Sequence, residues 1–248
     1  MINKILNKFK PFKAPEVDLD KHQSETKFWK DELIRYEEWY NGELKEMYAT
    51  ACPTDAQKIK AYFTAHAAIL TWHKLHQEVK YLYDLKLDKT AFKGKKLLDI
   101  GSGPMPSATC FEGADLYCLD PLLDKYIGVG FPIHLYGDVK FIQGFSEQIP
   151  VADNFFDAVI SVNALDHVDD FEKTAADIKR VLKPGGLVIF HLHFHPPTQN
   201  EPLELSDERV SNAFLGIDNF RKLLESKDKF GYRCADDEYY SLWSNIME

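Results

Sequence analysis

The stretch LLDIGSGPMPS, residues 97–107, decides the fold predicted for this chain. A run of aliphatic residues ends in an acid and leads into two glycines, Gly101 and Gly103. This pattern is typical of a buried parallel strand that enters a ligand-binding turn. Because glycine has no Cβ, both positions allow the backbone to turn sharply and to pass close to a ligand.

Short apolar runs alternate with helical segments from this stretch onward. The runs are KKLLDIG, DLYCLD, VKFIQG, FDAVISV, GGLVIFHLHF, FGYRCA and YYSLWSNI. Such alternation predicts crossover connections and a parallel sheet covered on both faces. Only DDE separates the last two runs, so we expect them to form a hairpin that gives one antiparallel edge strand. The sequence therefore predicts an α/β fold with a Rossmann-like, seven-stranded, mostly parallel sheet.

The first 90 residues contain no convincing strand, and two long stretches carry apolar groups at helical spacing. We therefore divide the chain into an N-terminal helical region, residues 1–90, and a ligand-binding α/β domain, residues 91–248. The basic amphipathic start, residues 1–12, fits weak peripheral contact with a membrane. A helix docked on its own domain, or a frayed tail, explains the same pattern.

Composition limits the classes of partner and compartment. The formal net charge of -9 disfavours nucleic acid as a partner. The four cysteines show no CxxC spacing, which favours a reducing compartment, and no apolar run approaches the roughly 20 residues that span a bilayer. We expect a cytoplasmic protein, with a place at the membrane surface as the alternative.

The surroundings of the glycine turn indicate a ligand without phosphate, or a cationic ligand. A dinucleotide fingerprint requires a third glycine where this chain has Pro106. Residues 99–124 contain no Lys, Arg or His but include several acids. One of them, Asp120, closes the second predicted strand, where a carboxylate can accept hydrogen bonds from both hydroxyls of a ribose.

The segment from about residue 95 to 195 resembles the class I S-adenosylmethionine-dependent methyltransferases, in particular their type 11-like group. The resemblance rests on the glycine turn, on SEQIPVADNFFDAVISVNALDHV (residues 146–168) and on RVLKPGG (residues 180–186). It implies a methyltransferase that uses S-adenosylmethionine and releases S-adenosylhomocysteine. Because a sulfonium site must exclude water, we take residues 20–85 as a helical lid, with packing against the sheet as the alternative role of their aromatic side chains.

The resemblance further implies where the cofactor binds. The methionine end would contact Asp99, Gly101, Ser102, Gly103 and Asn163. The ribose would bind Asp120, and the adenine would lie against Pro121, Leu122, Gly144, Phe145, Ser146 and Glu147. The chain departs from the family at Met105, which replaces a usual third glycine, and at Phe145, which replaces an acid often found near the adenine amine.

Histidines are the candidate catalytic bases. His167 follows the fourth predicted strand, with Asp166 as a possible orienting partner, and His193 and His195 end the fifth. Strand alternation places His191, His193 and His195 on one face, about 7 Å apart in succession. Structural hydrogen bonding is an alternative role. No metal is assigned, although His-x-His is a known ligand spacing and leaves a metal site as a further alternative.

The expected function is methylation of a polar small molecule, which the loop after the fifth strand would bind. Polar groups in that loop suit acceptor hydroxyls: Thr198, Gln199, Asn200 and Glu201. We predict O-methylation of a sugar, a glycan precursor or a secondary metabolite. The alternatives are a catalytically silent cofactor-binding module in regulation or assembly, a nicotinamide-dependent oxidoreductase, and a metal-dependent enzyme.

Overall fold

The computed structural model describes residues 19–39, 64–198, 201–229 and 232–246. The helices are α1 (Leu19–Trp39), α2 (Thr64–Trp72), α3 (Glu78–Leu85), α4 (Leu123–Val129), α5 (Phe171–Val181) and α6 (Asp207–Ala213), with a π-helical turn, His73–Gln77, joining α2 to α3. The strands are β1 (Lys96–Ile100), β2 (Asp115–Asp120), β3 (Lys140–Gln143), β4 (Phe156–Val162), β5 (Leu182–Phe194), β6 (Arg221–Ser226), β7 (Asp228–Lys229), β8 (Tyr232–Arg233) and β9 (Tyr239–Ser244).

Seven strands form one sheet in the order β3-β2-β1-β4-β5-β9-β6. Strands β1 to β5 pair in parallel, whereas β9 pairs antiparallel with both β5 and β6. The carboxyl ends of the parallel strands consequently meet at one edge of the sheet, where ligands bind in folds of this kind. The predicted α/β fold, with its single antiparallel strand at one side of the sheet, is confirmed.

The prediction of the edge hairpin is wrong in one detail. The strand that pairs with β9 in the main sheet is β6, whereas FGYRCA contributes only β8, which pairs with β7 in a separate two-stranded sheet. Strand β6, RKLLES, is charged at several positions and mostly exposed. Edge strands often carry such charges, which limit pairing with other chains, and the apolar pattern of a buried strand is lost as a result.

The connection after β1 contains a four-residue 3₁₀ helix, Ser107–Cys110, instead of a full α-helix. Pro104 and Pro106 lie in this connection, and proline has no N–H for a helical hydrogen bond. The glycine turn is anchored by its own backbone, since the N–H of Gly101 donates to the carbonyl of Leu119 at 2.9 Å. In the described segment between β1 and β2 this 3₁₀ helix is the only helical element, so the turn would bind a ligand through its own side chains and amides.

Apolar clusters cover both faces of the sheet and one of its ends. Helices α5 and α6 pack on one face and α3 on the other. A third cluster joins α1 and α2 to the region around α4, and its buried members include Tyr36, Ile69, Met105, Tyr126 and Phe131. This cluster holds the N-terminal helices over the carboxyl ends of the strands. The predicted helical character of the N-terminal region is thus confirmed for α1, α2 and α3.

Some predictions fall on residues outside the described ranges. They are the amphipathic start, residues 1–12, the middle of the predicted lid, residues 40–63, and the loop positions Gln199 and Asn200. Within the ranges that the structure describes, no helix is both long enough and apolar enough to cross a bilayer.

Candidate cofactor and acceptor site

The glycine turn after β1 packs directly on the turn after β4. Gly101 and Gly103 have φ values of +70° and +62°, a region that other residues rarely adopt. A methyl group added at Gly101 would lie 2.2 Å from the Cβ of Ala164, far inside van der Waals contact. The absence of a side chain at Gly101 therefore allows the two turns to meet.

Asp120 ends β2 beside this turn. Its carboxylate accepts hydrogen bonds from the backbone N–H of Gly103 and of Leu122, both at 2.9 Å, and only 5% of the residue is exposed. Burial raises the pKa of Asp120 to about 7, against the opposing effect of the two amide hydrogen bonds. Asp120 is thus a buried acceptor whose charge changes near neutral pH.

A cavity of about 590 Å³ opens over the ends of β1 to β4, within the size range of small-molecule sites. All but one of the residues predicted to bind the cofactor line it: Gly101, Ser102, Gly103, Asp120, Pro121, Leu122, Gly144, Phe145, Ser146, Glu147 and Asn163. Carboxylates outnumber lysines and arginines in its wall. The acids are Glu25, Glu32, Asp120, Glu147, Asp169 and Glu201, and the bases are Lys21, Arg35 and Lys80.

Asp99 is the exception, because it lies behind the cavity wall. Side chains alternate along β1, and Asp99 is on the same face as Leu97, beneath α3. The residue is fully buried, and the hydroxyl of Tyr81 donates to its Oδ1 at 3.3 Å. Burial raises the pKa of Asp99 well above its ordinary value. Asp99 therefore positions Tyr81, which lines the cavity, instead of lining the cavity itself.

The end of the cavity predicted for adenine is formed by the segment after β3. The ring of Phe145 stacks against that of His22 in α1, with 6.0 Å between centroids. Glu147 Oε1 accepts the backbone N–H groups of Asp169 and Asp170 at 2.8 and 3.1 Å. Glu147 thus tethers this segment to the start of α5, and Phe145 provides the aromatic surface.

Asn163 provides an unsatisfied acceptor at the end predicted for methionine. Its backbone is left-handed, with φ of +54°, and its N–H donates to the carbonyl of His191 at 2.8 Å. Its side-chain Oδ1 is buried without a hydrogen-bond partner among the described residues. Buried acceptors are normally satisfied, so this oxygen fits a ligand that donates a hydrogen bond, such as an ammonium group. The donor set as a whole fits S-adenosylmethionine.

His167 lies between two carboxylates in the lining of the cavity. Its Nδ1 is 3.6 Å from Glu25 Oε2, and its Nε2 is 3.4 Å from Glu201 Oε1. Burial lowers the pKa of His167, but the interactions with Glu201, Glu25 and Asp166 outweigh it and raise the pKa to about 10. The ring is therefore cationic at neutral pH, which makes it a hydrogen-bond donor and opposes the predicted role as a base.

His193 and His195 lie beside the cavity and not in its lining. His195 Nε2 is 3.2 Å from Asp166 Oδ2, and His193 Nε2 is 3.2 Å from Glu238 Oε2. As predicted from strand alternation, the histidines share one face, since Tyr240 stacks on both His191 and His193. Glu201 connects this group to the cavity, because it lines the cavity and lies 3.6 Å from His195 Nε2. Thr198 also lines the cavity.

Helix α1 contributes a wall that sequence motifs did not locate. The Lys21 ammonium group donates to the carbonyl of His167 and binds the Asp169 carboxylate at 2.9 Å. Farther along the helix, Glu25 and Trp29 also line the cavity. These partners are separated from α1 by more than a hundred residues, and no local pattern indicates such pairing. Met105 has a clear role in this arrangement, because it packs among the buried residues that join α1 and α2 to the sheet.

Comparisons with known proteins agree with this geometry. Residues 98–190 match the family model described as a methyltransferase domain. A sterol 24-C-methyltransferase of Gibberella zeae is 35% identical over 102 residues, which are 38% of this chain and 26% of that protein. A ubiquinone/menaquinone biosynthesis C-methyltransferase of Psychromonas ingrahamii is 32% identical over 119 residues, 45% of this chain and 47% of that protein. This chain spans less than half the length of these curated relatives.

Solved structures share the fold at lower identity. Phosphoethanolamine N-methyltransferase 2 of Haemonchus contortus, in complex with S-adenosylmethionine, has a TM-score of 0.50 and 21% identity over 60% of this chain and 38% of that one. The [4+2]-cyclase SpnF has a TM-score of 0.51 and 17% identity over 74% of this chain and 82% of that one. Likenesses at this level concern the fold alone. Residues 98–190 thus match a methyltransferase domain, and the chain has the fold of the class I, S-adenosylmethionine-dependent methyltransferases.

Proposed function

We propose that this chain binds S-adenosylmethionine in the cavity and transfers its methyl group to a polar small molecule. The observation that carries this proposal is the convergence of three groups in one cavity: the glycine turn, the Asp120 carboxylate and the unsatisfied Asn163 Oδ1. An adenosine with a cationic sulfur and an ammonium group matches them. The excess of carboxylates in the wall favours such a cation over a phosphate-bearing dinucleotide.

The residues of this chain would act by positioning and by excluding water. When bound, the cofactor supplies an electrophilic methyl group. Asp120 would hold the ribose hydroxyls and Asn163 would bind the amino-acid end. The acceptor would bind at Glu25, His167 and Glu201, which we call the acceptor wall. The N-terminal region, residues 20–85, is proposed to be the lid, and the aromatic side chains of Trp29, Tyr36 and Trp72 in the cavity wall support this role.

The acceptor is proposed to bind through a hydroxyl group. Glu25 and Glu201 can accept its hydrogen bonds, because the His167 ring between them lowers the pKa of both carboxyls against the effect of burial. In the reaction the bond from methyl carbon to sulfur breaks and a carbon–oxygen bond forms. The hydroxyl proton leaves through the carboxylate wall to solvent, and the products are a methyl ether and S-adenosylhomocysteine. Hydroxylated acceptors such as a sugar, a glycan precursor or a secondary metabolite suit this wall.

Calorimetry with matched variants tests the cofactor assignment. We expect S-adenosylhomocysteine to bind the wild-type chain, and Asp120→Ala to weaken binding about 10- to 100-fold, because hydrogen bonds to a charged group contribute about 1.5–3 kcal/mol. Asp115→Ala is the control, because Asp115 begins the same strand and pairs with the exposed Lys140. Equal affinity in Asp120→Ala, or binding of NAD in place of the sulfonium cofactor, would reject the assignment.

Turnover tests distinguish the acceptor classes. S-adenosylhomocysteine formation is measured with polar metabolite fractions and with lipid extracts as acceptors. The proposal expects product from the polar fraction and a new methyl ether by mass spectrometry. Product from lipids alone would favour an apolar acceptor, and cofactor binding without turnover in any fraction would favour the regulatory or assembly module.

Weak membrane contact through residues 1–12 is a separate proposal, supported by the alternation of Lys4 and Lys8 with apolar residues. Co-sedimentation with vesicles rich in anionic lipid tests it. The wild-type chain should partition more strongly than Lys4→Glu/Lys8→Glu, and equal partitioning would contradict the contact.

A further inference from the structure

Four side chains with metal-ligating groups converge beside the acceptor wall. Asp166 follows β4, His193 lies near the end of β5, His195 follows β5, and Glu201 lies on the next loop. Each offers one nitrogen or oxygen atom, and these four atoms all lie within 4.8 Å of one another. Three separate chain segments thus bring two imidazoles and two carboxylates to one point.

This group is far more buried than the ion pairs of a protein surface. Asp166 is 0% exposed and the His195 side chain only 2% exposed. Asp166 Oδ2 faces His195, but Asp166 Oδ1 is buried without a hydrogen-bond partner among the described residues. A fully buried carboxylate oxygen without a partner is costly, and a bound cation is one of the few groups that would satisfy it. This oxygen is a second observation that points to a ligand, independent of the convergence.

The outer contacts of the histidines orient their rings. His195 Nδ1 donates to the carbonyl of Pro196 at 2.6 Å, which turns Nε2 toward Asp166 at 3.2 Å and Glu201 at 3.6 Å. Glu238 contacts the His193 ring at 3.2 Å, and Tyr240 stacks on that ring with centroids 4.4 Å apart. In metal sites, the second ring nitrogen of a ligating histidine typically donates to such a carbonyl or carboxylate.

We propose that Asp166, His193, His195 and Glu201 bind one divalent cation of the late first-row transition metals, such as Zn²⁺. Imidazole and carboxylate ligands without thiolate suit Zn²⁺ and its neighbours. Zinc–ligand bonds of about 2.0–2.2 Å would place tetrahedral ligand atoms roughly 3.3–3.6 Å apart. The four ligand atoms therefore need to approach one another by about 1 Å to complete the site. The cation joins the ends of β4 and β5 to the loop that carries Glu201, and it thereby fixes the acceptor wall. This binding does not depend on the proposed methyl transfer.

Metal binding by the full-length chain tests the site directly. After removal of metal with a chelator and dialysis, the wild-type chain is titrated with Zn²⁺ by calorimetry, and bound zinc is counted by elemental analysis. We expect one Zn²⁺ per chain. His193→Gln and Glu201→Gln should each weaken binding at least about tenfold, since even loss of an outer-shell partner costs about 10- to 100-fold. His134→Gln is the control, because His134 is an exposed histidine outside the group.

A second readout separates a specific site from adventitious binding. Co²⁺ bound by the wild-type chain should give visible absorption typical of nitrogen and oxygen ligands, and the signal should be lost in His193→Gln and Glu201→Gln but kept in His134→Gln. Cooperative thermal unfolding of every metal-free variant establishes that it is folded. The proposal is overturned if the wild-type chain binds neither Zn²⁺ nor Co²⁺, or if His193→Gln and Glu201→Gln bind Zn²⁺ as tightly as the wild type does. S-adenosylhomocysteine titrations of the same samples report on the proposed function separately.

Discussion

Replacing Gly101 by alanine tests the contact on which the site depends. Two costs are expected. The left-handed backbone, with φ of +70°, costs an alanine about 1–2 kcal/mol. The added methyl group, 2.2 Å from the Cβ of Ala164, forces a shift in packing that costs about 1–3 kcal/mol more. We therefore expect Gly101→Ala to lower the free energy of unfolding by about 2–5 kcal/mol.

A matched variant and a double mutant separate the two costs. Gly94 has a similar φ of +74° but no atom within 4 Å of an added methyl group, so Gly94→Ala should cost only the backbone part, about 1–2 kcal/mol. Adding Ala164→Gly to Gly101→Ala removes the clash, and the cycle should show a favourable coupling of at least about 1 kcal/mol. Urea denaturation followed by circular dichroism measures Gly101→Ala, Gly94→Ala, Ala164→Gly and the double mutant. The reasoning is refuted if Gly101→Ala costs no more than Gly94→Ala, or if the coupling is absent.

Three further outcomes follow from the site and its supports. The folded pKa of Asp120, about 7, exceeds the unfolded value of about 3.9, so the wild-type stability relative to Asp120→Asn should fall as the pH rises from about 4 to 7. Urea titrations at pH 4, 5.5 and 8 measure this difference in stability. A difference that does not change with pH would contradict the prediction. Arg180→Ala should lower the free energy of unfolding by about 2 kcal/mol in urea denaturation, because the guanidinium donates to the carbonyls of Ile149 and Val151. Lys173→Ala is the control, since Lys173 is exposed on the same helix. An equal loss of stability in the two variants would contradict the prediction. Trp29→Ala should weaken S-adenosylhomocysteine binding about tenfold, or about 1.4 kcal/mol, by calorimetry. Ile34→Ala, an exposed residue on the same helix and outside the cavity lining, should leave binding unchanged, and an equal loss in both variants would contradict the contact.

The fold was predictable wherever burial imposes a local pattern. Strands β1, β2, β4 and β5 are apolar because helices cover both of their faces, and each was located from its sequence. Strand β6 was missed because an exposed edge imposes no such pattern, and its charged residues resemble a surface loop. The helix expected after β1 is a 3₁₀ turn because the prolines remove the required N–H donors.

The site was predictable to the extent that its residues follow strand ends. Gly101, Asp120 and Asn163 are brought together by sheet topology alone, so motifs in the chain locate them. The alternation of side chains across β1 also explains why Asp99, in the middle of the same motif, faces away from the cavity. By contrast, the environment of His167 depends on Glu25 in α1 and Glu201 after β5. Those tertiary contacts determine its charge, and the local sequence does not predict them.

The position of β9 has a consequence for biosynthesis. This strand follows β6 in the chain but lies between β5 and β6 in the sheet. During translation, β5 and β6 emerge from the ribosome without the segment that bridges them, and their facing edges stay open until residues 239–244 have been made. Long-range pairing of this kind slows folding and leaves unpaired edges exposed. The nascent chain therefore exposes these two strand edges to aggregation and proteolysis until residues 239–244 can pair with them.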